Sequence, residues 1–385
     1  MLKKIVAIVL SLTMALSVSP FVSPVKAASK SAYKTVAEAG VEARNKIYNH
    51  KTSFSVKVKS KNAEPQSVSD ALEKVIYAET SNPNQGDYMR WDVDETELNY
   101  TGRKSGAYCY YTFTYNISYL TSISERKKLD SKVKSVIKGF KFTKKTSTYA
   151  KIKKVYDYIC KNTIYASSNS NPKVYSAYSA LIKKKAVCQG YATLLYKMLR
   201  TMGISTRVIA GDSSFSNSHG WNIVKLGSLY YNVDATWDST LLHSKKSYKY
   251  FLKGDSFKGH TRWKEYKKTS FYATYPMAAK AYNPKVAAKM CTTSKIAKFK
   301  NKKAKIKYAD RIKINAKKVK GARYQFKYSS LKSFKKANSR VIKQKKKTYY
   351  FKSLAKGVTY YAKVRAYKKI NGVTYYTKWS AVKTI

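Results

Sequence analysis

The clearest hydrophobic pattern along the chain lies in residues 188–203. Its apolar positions recur at helical spacing and would share one face: Leu194, Leu195, Met198, Leu199 and Met202. Gly203 follows them and suits the left-handed conformation that ends many helices. The pattern therefore predicts a helix that begins close to Cys188.

A hairpin is predicted after this helix. Residues 205–210 favour a strand, and from His219 to Ile223 apolar and polar residues alternate as in a strand. Leu226-Gly227-Ser228 suits a tight turn, after which residues 229–234 would return antiparallel. Because the two far ends of a hairpin are neighbours, we expect His219 and Asp234 to lie side by side.

The residues before the helix indicate a mixed segment. Spacing predicts helices over 31–49 and 68–77 and from Ser124 onward, and strands over 53–59 and 107–115. Thr146-Ser147-Thr148 suits the start of a further helix. Residues 248–252 are expected to continue the sheet that the hairpin belongs to. We assign residues 28–145 to an N-terminal α+β segment and residues 146–282 to a core.

The pattern changes to short strands near residue 292. They fall at 304–308, 311–314, 323–328, 348–351, 359–367 and 373–376. Turn signals such as Asn371-Gly372 separate them, which indicates an all-β sandwich over 292–385. The stretch before it is weakly periodic and contains Pro276 and Pro284, and we interpret 283–291 as a linker.

Three side chains of the core suit thiol chemistry. The backbone N–H groups and macrodipole at a helix N-terminus favour Cys188 as a thiolate. His219 could act as a base, and the Asp234 carboxylate could fix its tautomer and support its cation. Gly190 and Ala192 are expected to keep the first turn thin, so that a substrate chain can approach the sulfur.

Each of these residues taken alone has an ordinary structural explanation. A single Cys is usually a small buried hydrophobe, a single His a surface or capping residue, and an Asp after a strand part of a turn. Their order and their local context together favour an active-site constellation.

Residues from about 150 to 265 resemble the transglutaminase-like core of the papain-like cysteine enzyme superfamily. The matching motifs are Ala186-Val187-Cys188-Gln189-Gly190-Tyr191-Ala192, His219-Gly220-Trp221-Asn222 and Asp234-Ala235-Thr236-Trp237-Asp238. Residues 154–159 and 176–181 also resemble the family's two preceding helices.

This resemblance implies an α+β papain-like transglutaminase core in which Cys188 is the nucleophile, His219 the base and Asp234 the orienting acid. The family more often has Ala at position 220 and Pro at position 235, and neither change removes a chemical group. The chain has no equivalent of the acidic calcium clusters of animal transglutaminases. No metal ion and no cofactor are therefore predicted.

The last segment resembles a fibronectin type III domain. The stretch that carries this resemblance is 354–367, together with Trp379-Ser380 near the end of the chain. It implies a C-terminal all-β fibronectin type III-like sandwich, which is normally a spacer or binding module. Its interleaved Tyr and Lys residues could stack on sugars or bases, although strand patterning also explains them.

The N-terminal residues suggest export. Lys3 and Lys4 precede an apolar run over 5–18, and Val25-Lys26-Ala27 is a small-x-small cleavage site, so residues 1–27 are predicted to be a signal peptide. The run is shorter than the roughly 20 residues of a membrane span, and no transmembrane segment is predicted after cleavage. The expected location is secreted or at the cell surface.

The cysteine and histidine positions give no other motif. The four Cys are scattered at 109, 160, 188 and 291, and the four His at 50, 219, 243 and 260. Neither a disulfide framework nor a zinc site is indicated by this spacing.

The charge is strongly positive and uneven. The formal net charge is +58, and after Lys285 the only acidic residue is Asp310. Such a field attracts polyanions, which for an exported protein include anionic wall polymers, glycans, membrane headgroups or nucleic acid. A solvated lysine-rich surface without a partner is the alternative. No recognised motif supports nucleic-acid binding.

Together these features predict an exported cysteine-dependent acyl-transfer enzyme that acts on protein or peptide amides. A lysine amine as acceptor would make it a cross-linking transglutaminase, and water would make it a peptidase or amidase. The motifs do not separate these two reactions. The alternative from another class is a non-catalytic scaffold that binds a cell-surface glycan or wall polymer.

Overall fold

The computed structural model describes residues 33–61, 63–166, 171–242, 248–283, 296–302, 311–335, 339–351, 354, 358–370 and 373–384. The predicted signal peptide, residues 284–291 of the predicted linker, the predicted strand 304–308 and the Asn371-Gly372 turn lie outside them. The chain forms two compact units, and the division between them falls after Met277. Each is described separately below.

In the first unit, two helices pack together beside an antiparallel sheet. Its elements are α1 (Val36–Tyr48), β1 (Ser53–Lys61), α2 (Pro65–Ile76), α3 (Asp87–Asp92), β2 (Val93–Ser105) and β3 (Tyr108–Tyr119), with strand order β1-β3-β2. Ala43, Ile47, Val58 and Phe113 lie in their shared core. The sequence pattern misses β2 because this edge strand is only half-buried and largely polar.

The rest of the first unit surrounds one central helix. Its elements are α4 (Ile123–Gly139), α5 (Thr148–Asn162), β4 (Ile164–Tyr165), β5 (Lys185–Ala186), α6 (Cys188–Thr201), β6 (Thr206–Ser213), β7 (Ser216–Leu226), β8 (Leu229–Val233), α7 (Ala235–Leu242), β9 (His260–Arg262) and α8 (Thr269–Thr274). Strands β8-β7-β6-β9 form one sheet, and β4 pairs with β5 in parallel. The described part of this unit also contains two short 3₁₀ helices (Pro172–Tyr175 and Lys264–Lys267) and a π-helical turn (Ser179–Lys183).

Helix α6 is the most deeply buried element of this unit. Every residue from Cys188 to Leu199 is buried, including Leu194 and Leu195 at 0% exposure. Burying one such leucine contributes roughly 1.5–3 kcal/mol. Because the neighbouring elements enclose α6 on all sides, its first residue is held in a fixed position.

Two predictions about the core sheet need correction. Residues 248–252 do not form a strand; the neighbouring Lys253 makes only an isolated bridge to Asn232. The strand that extends the sheet is β9, which pairs with β6. The short helix α7, which follows Asp234 directly, was not predicted.

A buried ion pair connects the N-terminal segment to the core within the same compact unit. The Arg207 guanidinium donates from Nε and Nη2 to Asp87 at 2.7 and 2.9 Å, and the Val208 N–H donates to Asp87 at 2.7 Å. Glu79 lies 3.4 Å from Arg207. Burial, reinforced by the Asp87 charge, raises the pKa of Glu79 to about 7.

The second unit contains two antiparallel sheets around one core. Its strands are β10 (Ile296–Lys302), β11 (Arg311–Ala316), β12 (Arg323–Ser329), β13 (Ser339–Gln344), β14 (Thr348–Phe351), β15 (Tyr361–Ile370), β16 (Val373–Tyr376) and β17 (Lys383–Thr384). One sheet has the order β10-β11-β14 and the other β13-β12-β15-β16, with β17 also on β15. Ile314 of the first sheet and Phe326 and Val364 of the second share the core. This arrangement suits a sandwich, and its fibronectin type III-like identity stays a prediction.

Among the described residues, none of the helices combines the length and the hydropathy that a membrane span requires.

A buried carboxyl group in the first unit gives a test of the packing. Asp92 is 5% exposed and accepts hydrogen bonds from the Thr121 hydroxyl at 2.8 and 2.9 Å. Burial raises its pKa to about 7, although Thr121 and Arg126 oppose the shift. The folded state therefore holds a proton on Asp92 that the unfolded state has lost at intermediate pH, and the contribution of Asp92 to stability should fall as pH rises from about 4 to 7.

We expect Asp92→Asn to remove this pH dependence. Asn keeps an acceptor for Thr121 but has no proton to lose. The free energy of unfolding of the variant, taken relative to that of wild type, should therefore be about 2 kcal/mol higher at pH 8 than at pH 5. Urea unfolding at both pH values measures this gain. The control is Asp70→Asn on the exposed face of α2, where no such gain is expected. An equal effect of Asp92→Asn at both pH values would contradict the prediction.

Candidate active site

Cys188 is the first residue of α6, as the hydrophobic pattern predicts. Val187 precedes the helix in an extended conformation, and no side chain caps this end. The first backbone N–H groups of a helix have no partner within the helix, and they attract negative charge. Cys188 itself is 2% exposed. A thiolate at this position would lie in the field of these N–H groups.

Two glycines beside Cys188 have different roles. A Cβ at Gly190 would lie 2.7 Å from the Ala186 Cβ and 2.9 Å from the Val174 carbonyl oxygen. The space beside Gly190 is therefore filled by the protein's own chain, which corrects the expectation that it admits a substrate. A Cβ at Gly220 would make an ordinary contact of 3.7 Å with Gln189, so the alanine that the family more often has would fit.

The structure brings His219 and Asp234 together as the hairpin predicts. His219 lies in β7, Asp234 directly follows β8, and His219 Nε2 is 2.8 Å from Asp234 Oδ2. The His219 side chain is 6% exposed and that of Asp234 is 0% exposed. Since Nε2 faces the carboxylate, Nδ1 is the nitrogen left to face Cys188.

Electrostatics favour a charged imidazole at this position. Burial by itself lowers the pKa of His219, but the Asp234 charge and hydrogen bond outweigh it, and Cys188 adds to their effect, so the pKa rises to about 10. Burial likewise opposes the ionisation of Asp234, yet contacts with His219 and His260 hold the pKa of Asp234 well below its usual range. The pair is therefore an imidazolium and a carboxylate at neutral pH.

Asp234 uses its two oxygens differently. Oδ1 accepts the backbone N–H groups of Thr236 at 2.8 Å and Trp237 at 3.2 Å, which is the bonding pattern of a helix N-cap for α7. Oδ2 accepts His219 and also His260, whose Nε2 is 2.9 Å away. The same carboxylate thus has two roles. It caps the start of α7, as expected of an Asp in a turn after a strand, and it binds the imidazole of His219.

His260 is a site residue that the sequence did not indicate. It lies 26 residues after Asp234 and opens β9, which has only three residues. A strand this short has no detectable period, and the pairing of β9 with β6 is what carries His260 to Asp234. No local signal could have identified it.

Aromatic rings surround the imidazole of His219. The rings of Trp237 and Trp221 lie 5.4 and 6.1 Å from it. Phe215, which is 84% exposed, contacts Trp237 at 5.2 Å. These rings exclude water from one side of the site and provide an apolar surface beside it.

Other groups near Cys188 define its surroundings. Tyr165 is paired in register with Ala186, and its pKa is raised by burial and by Cys188, while the Cys188 backbone N–H acts in the opposite direction. The Tyr165 hydroxyl therefore lies near that N–H group. Cys160 donates to the Ala235 carbonyl oxygen at 3.4 Å, and burial raises the pKa of its thiol strongly. Cys160 is thus a buried thiol without nucleophilic character.

One trio of side chains among the described residues could hold a metal ion. It consists of His219, Asp234 and His260, whose ligand atoms lie within 4.8 Å of one another. The two nitrogen–oxygen distances, 2.8 and 2.9 Å, are those of hydrogen bonds. The absence of a metal stays a prediction.

A family model describes part of this unit. Residues 138–235 match the model of the transglutaminase-like superfamily, a range that includes all three predicted site residues. Kyphoscoliosis peptidase of Mus musculus is 28% identical over 120 residues, covering 28% of this chain and 18% of that protein. Its counterpart in Homo sapiens is 28% identical over 116 residues, covering 26% of this chain and 18% of that protein. The chain thus spans less than a fifth of these relatives.

Among solved structures, a TGase shares 13% identity with this chain at a TM-score of 0.28, covering 47% of this chain and 51% of that one. At this score the likeness does not establish a shared fold. The family match itself supports a transglutaminase-like core and, at a coarse level, a cysteine-based enzyme.

Two substitutions of Asp234 separate its two roles. Asp234→Asn keeps Oδ1 for the Thr236 and Trp237 N–H groups but removes the charge, so the pKa of His219 should fall from about 10 to below 6.5, because burial then dominates. Asp234→Ala also loses the cap, which should cost a further 0.5–2 kcal/mol or so of stability.

The imidazole titration is measured by NMR and the stability by urea unfolding. An unchanged His219 titration in Asp234→Asn would show that the carboxylate does not hold the imidazolium. Equal stability of the two variants would show that the cap contributes nothing.

Proposed function

We propose that this protein is an exported cysteine acyl-transfer enzyme that acts on protein or peptide amides through Cys188, His219 and Asp234. The observation that carries the proposal is that the buried Asp234 carboxylate lies 2.8 Å from His219 Nε2, beside a cysteine that begins a helix, and this carboxylate raises the pKa of the imidazole. An imidazolium and a helix N-terminus both stabilise a thiolate, which is the reactive form of cysteine.

The reaction proceeds in two balanced steps. The Cys188 thiolate attacks the amide carbonyl, a carbon–sulfur bond forms, and His219 protonates the amine as the carbon–nitrogen bond breaks. His219 then takes a proton from the acceptor, which attacks the thioester and releases the Cys188 thiolate. The Cys188 backbone N–H is one donor for the oxyanion, and the Tyr165 hydroxyl near it is a second candidate.

The acceptor decides between a transglutaminase and a peptidase or amidase. The relatives are named peptidases, which supports water as acceptor, although they are matched over only 18% of their length. The charged imidazole suits both reactions, because each requires the same proton transfers.

The two reactions and the scaffold alternative can be separated by mass spectrometry of a glutamine-containing peptide with and without a primary amine. Wild type should give an amine-substituted product or a hydrolysed one, and Cys188→Ala should give neither. The matched control is Cys160→Ala, which removes a buried thiol of the same unit and should keep activity. Wild type without any product would favour the non-catalytic scaffold.

We also propose that the second unit binds an anionic polymer at the cell surface. A basic ledge on its larger sheet, formed by Lys327, Lys363 and Arg365 beside Trp379, supports this. Lys327 and Lys363 are directly opposite on β12 and β15, and like charges in such pairs destabilise a sheet. Burial lowers the pKa of Lys363, and the charges of Lys327 and Arg365 lower it further. Lys363 and Arg365 lie 5.3 and 4.4 Å from the Trp379 ring.

Retention of the full chain on immobilised polyphosphate should fall steeply between about 50 and 500 mM salt, because binding releases counterions. The double variant Lys327→Gln and Lys363→Gln should elute at lower salt. The control, Lys345→Gln and Lys346→Gln, removes the same charge from exposed positions elsewhere in the unit and should elute later than the ledge variant. Equal elution of the two doubles would exclude the ledge as the binding site.

A further inference from the structure

We infer that His260 is a positioning residue of this site, which holds the Asp234 carboxylate in the orientation that His219 requires. The inference rests on the proposed function. His260 Nε2 lies 2.9 Å from Oδ2 of Asp234, the same oxygen that receives His219 Nε2 at 2.8 Å. The His260 side chain is 0% exposed.

The hydrogen-bond chemistry defines what His260 does. An ionised carboxylate only accepts hydrogen bonds, so both imidazole Nε2 atoms must donate to Oδ2. Nδ1 of His260 faces the Lys258 carbonyl oxygen at 3.3 Å, so both ring nitrogens face oxygen atoms. A carboxylate oxygen in a buried site needs more than one donor. Without His260, Oδ2 would keep a lone pair that no other described group satisfies.

The ring of His260 is itself held rigidly. Phe257 stacks on it at 3.9 Å with an interplanar angle of 17°, and Trp237 and Trp221 lie 4.3 and 5.0 Å away. A ring enclosed on three sides cannot turn to another partner. Because His260 lies on β9, the position of this strand determines where the Asp234 carboxylate is held.

The backbone at Gly211 shows how closely β9 approaches β6. Gly211 of β6 pairs with His219 on one side and with Arg262 of β9 on the other. A Cβ at Gly211 would lie 2.1 Å from the Thr261 carbonyl oxygen and 2.7 Å from the Trp221 ring. Only glycine at this position lets the two histidine-bearing strands flank β6 so closely.

The same three side chains also form a ligand set for a divalent cation such as Zn²⁺. A zinc ion would lie about 2.0–2.1 Å from each histidine nitrogen. The observed geometry instead directs both nitrogens at the carboxylate oxygen at hydrogen-bond distance. This geometry favours the positioning role of His260. The test below must therefore distinguish that role from metal binding by the same three side chains.

The test compares full-length variants. His260→Phe keeps the ring but removes the donor, and His260→Gln keeps an N–H donor at a similar reach. The matched control is Trp263→Phe, which removes an N–H donor to a different carboxylate, Asp212, just beyond β9. If His260→Phe does not fold, His260→Asn replaces it, because its amide is too short to reach Oδ2.

We expect His260→Phe to lower kcat by about 10- to 100-fold with KM changed less than 2-fold, since misplaced catalytic groups cost rate more than binding. His260→Gln should recover most of this loss, and Trp263→Phe should match wild type. The NMR resonance of the His219 Nε2 proton should shift in His260→Phe and return towards its wild-type position in His260→Gln. His260→Phe should unfold at a lower urea concentration than wild type, because the buried Oδ2 loses a donor, and His260→Gln should recover part of this loss.

Three results would overturn the inference. They are a wild-type kcat in His260→Phe, a His219 resonance that His260→Phe does not move, and zinc binding that requires His260 together with activity that a chelator abolishes. If wild type has no activity on any substrate, the proposed function fails, but the His219 resonance still decides whether His260 positions the carboxylate.

Discussion

The fold of the first unit depends on satisfying one buried charge. The Asp234 carboxylate is fully enclosed, and a buried charge is tolerated only when hydrogen bonds replace its water. Two backbone N–H groups of α7 and the imidazoles of His219 and His260 provide these bonds. The end of β8, the start of α7 and the strands β7 and β9 therefore meet at one residue. The same arrangement that stabilises this junction maintains the imidazolium that the proposed chemistry uses.

Cys188 is held in place from the other side, by the elements that pack around α6. Helix α6 is buried along most of its length, and the Gln189 amide, one residue after Cys188, donates to the Trp91 carbonyl oxygen at 2.9 Å. The pair of Asp87 and Arg207 connects the same N-terminal segment to β6. The contacts of this N-terminal segment thus position the helix that carries the cysteine. The packing of the N-terminal segment therefore helps to fix the position of Cys188.

The second unit shows a different use of charge. Several of its cationic side chains lie over aromatic rings, as Arg365 does over Tyr376 at 3.9 Å, and few acidic groups neutralise them. Cation–π contacts lower the free-energy cost of placing positive charges close together. They do not neutralise these charges, so the positive electrostatic field still extends into the solvent. The second unit is thus strongly basic, whereas the first unit contains buried ion pairs such as that of Asp87 with Arg207.

The sequence by itself determined the elements that have a clear period and the residues whose chemistry is specific. The α6 helix and the hairpin followed from spacing of 3.6 and 2. The prediction of Cys188, His219 and Asp234 as site residues followed from their place in those elements and from the family motifs around them. Strand β2, helix α7 and strand β9 were missed because they are polar, short or both, so no period marks them. Tertiary structure alone decided that β9 pairs with β6 and brings His260 to Asp234. That contact depends on the close approach of strands that are distant in the chain, which no local pattern of residues encodes.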